Sequence, residues 1–287
     1  MADMHLLDFR IQNVGGPVVR PKMYLVSEDG REIEVEPGST LRAHPAWTFV
    51  IHGFANDRRE GKAKLSAYAA QLRKEALGLD TGLALVLWPG DNRLSPLTYS
   101  VEEEDAQSTA DKLSAFILAY LPGSVRPHFI AHSLGSLVAL ETMKRLHEDG
   151  VPAGMCLLLA GAVDCDALAR RARFQACVQA AARVQVLSSK KDVVLQWCFP
   201  IGDFIAGFLF GGYTRSALGR VGPQPSEARE GIPGTVVSLP LPNDWNVGHG
   251  DYLAGSDGGM NGKQLSSAHL AAGILSGGPA VYPPPTP

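Results

Sequence analysis

The segment Pro127-His128-Phe129-Ile130-Ala131-His132-Ser133-Leu134-Gly135-Ser136-Leu137-Val138-Ala139-Leu140 leaves the chain few folds to choose from. A short apolar run enters Ala-His-Ser-Leu-Gly, and an apolar pattern of helical period follows at once. Strand, sharp turn and helix, in that order, form the setting of a nucleophile elbow. Such a turn holds its serine in a strained backbone conformation, so the residues two before and two after it must be small. Gly135 meets that demand. Ala131 stands where the G-x-S-x-G pattern has its first glycine and exceeds it by one methyl. The competing reading is a buried strand–helix junction with an ordinary serine. The strand before and the helix after favour the functional reading.

The rest of the 287 residues repeats the same alternation. Trp47-Thr48-Phe49-Val50-Ile51 and Leu83 to Trp88 read as strands buried on both faces. Met155 to Ala160, Val184 to Ser188 and Thr235 to Leu239 read the same way. Between them lie helical patterns: roughly Gly61 to Leu77, with Leu65, Tyr68, Ala69, Leu72 and Ala76 on one side, Val101 to Leu121, and Ser136 to His147. Asp166 to Ala182 and Lys263 to Leu275 are also expected to be helical. Strands alternating with helices predict an α/β fold, a mostly parallel central sheet flanked by helices on both faces. The first 46 residues form an amino-terminal β segment. There Met23–Ser27 and Arg31–Val35 flank Glu28-Asp29-Gly30, a hairpin signal. One domain is expected over 1–287, with 278–287 a flexible Pro-rich tail.

Hydrophobic residues make up 45% of the chain and charged residues 19%, enough apolar material for a large core. A net charge of −3, with no basic run, argues against nucleic acid as a partner. No apolar run reaches membrane-spanning length, and the amino terminus lacks the pattern of a secretory signal. Cys156, Cys165, Cys177 and Cys198 show neither C-x-x-C nor zinc-ligand spacing. They are expected to be reduced thiols in a cytoplasmic protein.

A serine hydroxyl needs a base to take its proton, and the base needs an orienting carboxylate. In a parallel sheet both must lie just beyond the carboxyl ends of strands. Asp164 and Asp192 both qualify, each following a strand. One histidine, His249, lies between the last strand and the last helix, flanked by Gly248 and Gly250. The chain order is then Ser, Asp, His. An oxyanion hole draws one N–H from the residue after the nucleophile, Leu134. The other ordinarily comes from the loop after the third strand, which opens His52-Gly53-Phe54 and makes Phe54 the second donor.

These motifs resemble those of the α/β-hydrolases over roughly Pro45 to Leu275. The residues that carry the likeness are Phe49-Val50-Ile51-His52-Gly53-Phe54, Leu87-Trp88-Pro89-Gly90, Ala131-His132-Ser133-Leu134-Gly135, Ser189-Lys190-Lys191-Asp192 and Gly248-His249-Gly250-Asp251-Tyr252. Together they are similar to a poorly characterised group of bacterial serine hydrolases, with Trp-Pro after the fourth strand and Asp-Tyr soon after the base. The resemblance implies Ser133 as nucleophile, Asp192 as acid and His249 as base. It implies no substrate, because this fold hosts many chemistries.

Other features receive plainer readings. His132 sits beside the nucleophile and cannot readily curl back onto its hydroxyl, so it is read as a packing residue. His52 is read as shaping its loop, Asp251 as structural and Trp88 as core. The apolar stretch from Phe199 to Phe210, with the residues to 212, suits either a substrate-covering wall or a buried helix. Gly255 to Gly262 is read as a mobile surface loop. The expected activity is cleavage of carboxylic esters through an acyl-enzyme, on a small-molecule substrate and without metal or organic cofactor. A lipase, thioesterase or amidase would use the same residues. A non-catalytic binding protein on the same fold would leave Ser133 unreactive.

Overall fold

A computed structural model of the chain describes residues 4–27, 30–76, 80–90, 99–196, 216–225, 231–253 and 267–278. The stretch 199–212, the loop 255–262 and all but the first residue of the 278–287 tail lie outside the described residues. Nine strands build one sheet. They are β1 (Met4–Asp8), β2 (Lys22–Val26), β3 (Glu32–Glu34), β4 (Trp47–Ile51), β5 (Gly82–Leu87), β6 (Pro127–His132), β7 (Met155–Leu159), β8 (Arg183–Ser188) and β9 (Val236–Pro240). Their order across the sheet is β3-β2-β1-β5-β4-β6-β7-β8-β9. From β1 to β9 every neighbouring pair is parallel; β2 runs antiparallel to both β1 and β3. The predicted hairpin is β2–β3. Gly30, at φ 80°, turns it in the left-handed region that glycine enters without strain.

Among the described residues the helices around the sheet include α1 (Pro37–Arg42), α2 (Arg58–Glu75), α3 (Tyr99–Tyr120), α4 (Gly135–Glu148), α5 (Gln175–Ala180), α6 (Leu218–Val221) and α7 (Ser267–Leu275). α2 starts earlier than its apolar pattern alone predicts. Asp57 and Glu60 form a capping box: the Asp57 carboxylate accepts the Glu60 N–H at 2.8 Å, and Glu60 accepts the Asp57 N–H. That D-x-x-E spacing is legible in the sequence. α2 then turns Leu65, Tyr68, Ala69 and Leu72 inward, as the periodicity predicts.

The strand order places the helices. The chain leaves β4 in one direction to reach β5, then returns past β4 to β6 and continues to β7 and β8. Parallel crossovers are right-handed, so reversing direction moves the connecting helices to the opposite face. α2 accordingly packs with α7, while α3 and α4 pack together with α1 and α5 beside them. The core fills both sides of the sheet, from Leu6 and Phe49 through Phe129 and Leu157 to Val186.

Two expectations need correction. The amino-terminal segment is not only a hairpin. Met4–Asp8 enters the sheet as β1, parallel to β5, and 37–42 form a helix capped by the Glu36 carboxylate. The predicted helix over 166–182 shrinks to α5. Ahead of it the chain makes i→i+3 turns, with the N–H groups of Ala167, Ala169 and Ala172 donating to Asp164, Asp166 and Ala169 O, while the Arg170 N–H goes to Gly231 O and Arg171 adopts φ 68°. A left-handed residue ends any helix that reaches it. Cys156, Cys165 and Cys177 are free thiols, and Cys198 lies outside the described residues.

Leu85 is fully buried in β5, between Leu6 of β1 and Val50 of β4. Leu85→Ala should lower the unfolding free energy by about 2–5 kcal/mol. Denaturant unfolding measures this; a loss below about 1 kcal/mol would mean the core around β5 is looser than described.

Candidate active site

The reversal of strand order opens a crevice between the carboxyl ends of β4 and β6. Ligand sites of open α/β sheets lie at such switch points. The end of β4 runs into His52 and Gly53; the end of β6 runs into Ser133. Ser133 holds φ 53°. A non-glycine residue there is strained and persists only where its surroundings over-determine it. Here the Ser133 N–H donates to Leu159 O at 2.9 Å, and Ser133 O accepts from Ser136 N and Ala162 N at 3.0 and 3.1 Å. The neighbouring chain approaches closely. A Cβ on Gly135 would lie 2.4 Å from His52 O, and one on Gly53 would lie 2.7 Å from Ser133 Cβ. Only glycine fits either place. Ala131, within β6 between Ile51 and Leu158, is buried with its methyl accommodated.

The structure brings Ser133, Asp192 and His249 together. His249 Nε2 lies 2.9 Å from Ser133 Oγ, and His249 Nδ1 lies 2.8 Å from Asp192 Oδ2. Asp192 is 0% exposed, and its other oxygen accepts the Leu195 N–H at 2.9 Å. An ionised carboxylate is an acceptor only, so it fixes the proton on Nδ1 and leaves Nε2 free to accept from the serine hydroxyl. The acid and base segments are tied directly: Ser189 Oγ donates to Val247 O at 2.7 Å. Asp251 closes the loop around His249 by accepting the Gly248 N–H at 2.7 Å, a structural part as expected.

The main chain at Asp164 pairs with a different segment. It forms an isolated antiparallel bridge with Ala217, and bonds from Cys165 N to Ser216 O and from Leu218 N to Val163 O zip the two segments together.

The second loop of the crevice is braced from several sides. His52 is buried; its Nδ1 donates to Gly53 O at 2.7 Å, and its Nε2 accepts the Trp88 N–H at 3.3 Å. Trp88 returns a bond from Nε1 to His52 O at 2.8 Å. Asn56 Nδ2 donates to Gly53 O and Phe54 O, both at 3.0 Å. A trans peptide is planar, so its C=O and N–H point in opposite directions. Pinning Gly53 O from two donors therefore also aims the Phe54 N–H. Neither that N–H nor the one of Leu134 donates a hydrogen bond among the described residues.

The model of the family "Alpha/beta hydrolase of unknown function (DUF900)" matches residues 41–252, well over half of the chain. The chain belongs to this family. No curated protein matches it. Among solved structures it is similar to a thioesterase of prodiginine biosynthesis from Streptomyces coelicolor, RedJ, at 19% identity and TM-score 0.30. That match covers 46% of this chain and 45% of the thioesterase, so the chain spans less than half of that protein. TT1662 from Thermus thermophilus matches at 13% identity and TM-score 0.45, covering 96% of this chain and 98% of the other. An esterase of Pyrobaculum calidifontis matches at 12% and 0.42, covering 90% and 80%.

In this α/β hydrolase His132 does more than pack. Its Nε2 donates to the backbone O of His249 at 2.8 Å, and the two rings lie 4.9 Å apart. The residue beside Ser133 thus anchors the loop that carries the imidazole. Sequence order alone gave no sign of this, because the partner is a main-chain carbonyl 117 residues away. His52 shapes its loop as expected, and Trp88 is core, its ring stacked on His52. Among the described residues no group of His, Cys, Asp and Glu gathers as metal ligands, and no helix is long and apolar enough to cross a membrane.

Burial pushes His132 down to about 3, aided by the neighbouring His249 ring. Burial likewise pushes His52 down to about 4, against its bond to Gly53. Both are neutral in the folded protein, and in the unfolded chain they titrate near 6.5. The unfolded state therefore binds more protons as pH falls below about 6.5, and stability is lost towards the folded-state values. The melting temperature should drop between about pH 6.5 and pH 4, and His132→Gln should drop less steeply over that window. Parallel slopes in the two proteins would show that His132 is not held neutral by the fold.

Proposed function

We propose that the chain is a serine hydrolase that cleaves carboxylic esters of small molecules through an acyl-enzyme. The observation that carries this reading is the unbroken line from Ser133 Oγ through both ring nitrogens of His249 to the buried Asp192. Ser133 Oγ attacks the ester carbonyl as its proton passes to His249 Nε2. Asp192 holds the Nδ1 proton and stabilises the imidazolium that forms. The tetrahedral oxyanion lies against the N–H groups of Leu134 and Phe54, each worth roughly 3 kcal/mol of transition-state stabilisation. Collapse breaks the C–O bond to the leaving group, which takes the proton from Nε2. Water then attacks the acyl-enzyme, gives its proton to His249, and releases the acid and free Ser133. Every proton in the cycle is handled by side chains of this chain, so the reaction calls for neither metal nor organic cofactor.

A panel of p-nitrophenyl esters of graded acyl length, with matched thioesters and anilides, tests the substrate class. Esters should turn over fastest. Preference for long acyl chains, thioesters or anilides would place the chain with lipases, thioesterases or amidases on the same machinery. Ser133→Ala should cost on the order of 10⁶ in kcat. A fluorophosphonate should label the wild type on Ser133; an unlabelled wild type would make the chain a binding protein on a hydrolase fold.

Asp192→Asn should lower turnover by roughly 10⁴, because the amide donates to Nδ1 and imposes the wrong imidazole tautomer. Asp164→Asn should change turnover by less than about threefold, since Asp164 pairs with the 216–218 segment. The reverse ranking, in kinetics normalised to labelled Ser133, would move the acid to the end of β7.

A further inference from the structure

Beyond β1 the chain places a buried arginine beneath the crevice. Arg10 is 6% exposed. Its Nη1 donates to Asn56 O and to Trp88 O, both at 3.1 Å, and its Nη2 donates to Asn13 O at 3.2 Å. Three carbonyl oxygens from three separate segments thus converge on one cation. Converging carbonyl dipoles repel one another, and only a donor between them makes the arrangement stable. A guanidinium offers five N–H groups fixed in a rigid plane; an ammonium on a flexible stem offers three without that fixed spread. The carboxylate of Asp8 supports the strap. Its Oδ1 accepts the Arg10 N–H at 3.1 Å and its Oδ2 accepts Arg58 Nε, at the start of α2, at 2.7 Å.

Two of the three carbonyls belong to loops that meet beside Ser133. Asn56, held by its backbone oxygen, is the residue whose side chain grips Gly53 O and Phe54 O. Trp88 leads to Gly90, whose oxygen accepts the N–H of Ala55 at 2.6 Å, with Ala55 in the left-handed region at φ 61°. Moving Asn56 would release the Gly53–Phe54 peptide at one end, and moving Trp88–Gly90 would release it at the other. Arg10 also lies outside residues 41–252, the part matched by the family model.

We propose that Arg10 is a positioning residue: it straps the 52–57 and 88–90 loops to the end of β1 and so fixes where the Phe54 N–H points. The catalytic part of this inference rests on the reading of Phe54 as an oxyanion donor; the mechanical part does not. Arg10→Lys keeps a cation and much of the stem but not the planar fork, and Arg10→Gln removes the charge. Hydrogen–deuterium exchange of the intact protein reports the loop, and kcat and KM per fluorophosphonate-titrated Ser133 report the site. Counting only labelled sites removes any unfolded fraction from the comparison.

Amides of 53–57 should exchange at least about tenfold faster in Arg10→Lys. Because a displacement of about 1 Å can cost on the order of 10²-fold, kcat per site should fall by about 10- to 100-fold, with KM within about twofold. Unchanged exchange in a folded variant, or faster exchange with wild-type kcat per site, overturns the proposal. Failure of both variants to fold would also overturn it, by making Arg10 a general support of the domain. A wild type that neither labels nor turns over any substrate sinks the hydrolase reading instead, and the exchange comparison then still decides the strap.

Discussion

Ser133 sits at φ 53°, in a region a serine does not enter without cost, and most of the crevice exists to keep it there. An isolated residue in that conformation would cost about 1–3 kcal/mol. Three main-chain hydrogen bonds, to Leu159, Ser136 and Ala162, offset that cost and link the turn to the end of β7. The conformation in turn dictates its neighbours. Gly135 must lack a side chain because His52 O presses against it, and Gly53 must lack one because Ser133 itself does. The tight turn and the loop opposite are therefore one packed object. Neither can shift without the other.

The sheet decides where this object can form. Since β4 and β6 are neighbours whose following helices lie on opposite faces, their carboxyl ends diverge and leave a gap. β7 and β8 end one after the other along the same edge; the last residue of β7, Leu159, serves as an anchor, and the segment beyond β8 delivers the Asp192 carboxylate. His249 comes from beyond β9, at the edge of the sheet, and has furthest to reach. That reach explains the three tethers on its loop: Ser189 on Val247, Asp251 on Gly248, and His132 on His249 itself. A long loop carrying a side chain to within hydrogen-bond distance needs such fixing, because a small misplacement is expensive in rate.

Much of this was legible in the sequence. The strands β4, β5, β7 and β8 were readable because both faces are buried and each is a short, largely apolar run. α2, α3 and α4 were readable because their apolar residues keep helical spacing. Ser133 was legible because crowding at the turn leaves its mark as Ala131 and Gly135, and His249 because it is the one histidine in the sequence between the last strand and the last helix. Asp192 and Asp164 both follow a strand, and strand position favoured Asp192. The structure adds a pairing: the segment after β7 is zipped to 216–219, a contact across some fifty residues that no local pattern records. β1 escaped notice for a related reason. Met4–Asp8 is five residues long and reads as strand only once β5 and β2 lie on either side. Arg10 carried no sequence signal, because three backbone carbonyls define its role and any residue type can supply a carbonyl.

Three histidines surround one serine, and the fold sorts them by environment. His52 and His132 are buried, and burial keeps both rings neutral across the working pH range. Neutral imidazoles with a defined tautomer are good structural parts, one nitrogen donating and the other free to accept. His52 uses both at once, donating to Gly53 O and accepting from Trp88 N. His249 differs on two counts. Its side chain is 16% exposed, and it faces the buried carboxylate of Asp192. On the proposed mechanism it alone must gain and lose a proton in every cycle, so it alone needs a counter-charge and a route to water. The two buried rings need neither; a proton on His52 would put a donor where Nε2 accepts the Trp88 N–H, while the bonds to Gly53 O and His249 O use nitrogens that already donate. Desolvation of His52 and His132, set against the carboxylate that faces His249, gives the rings beside Ser133 different environments.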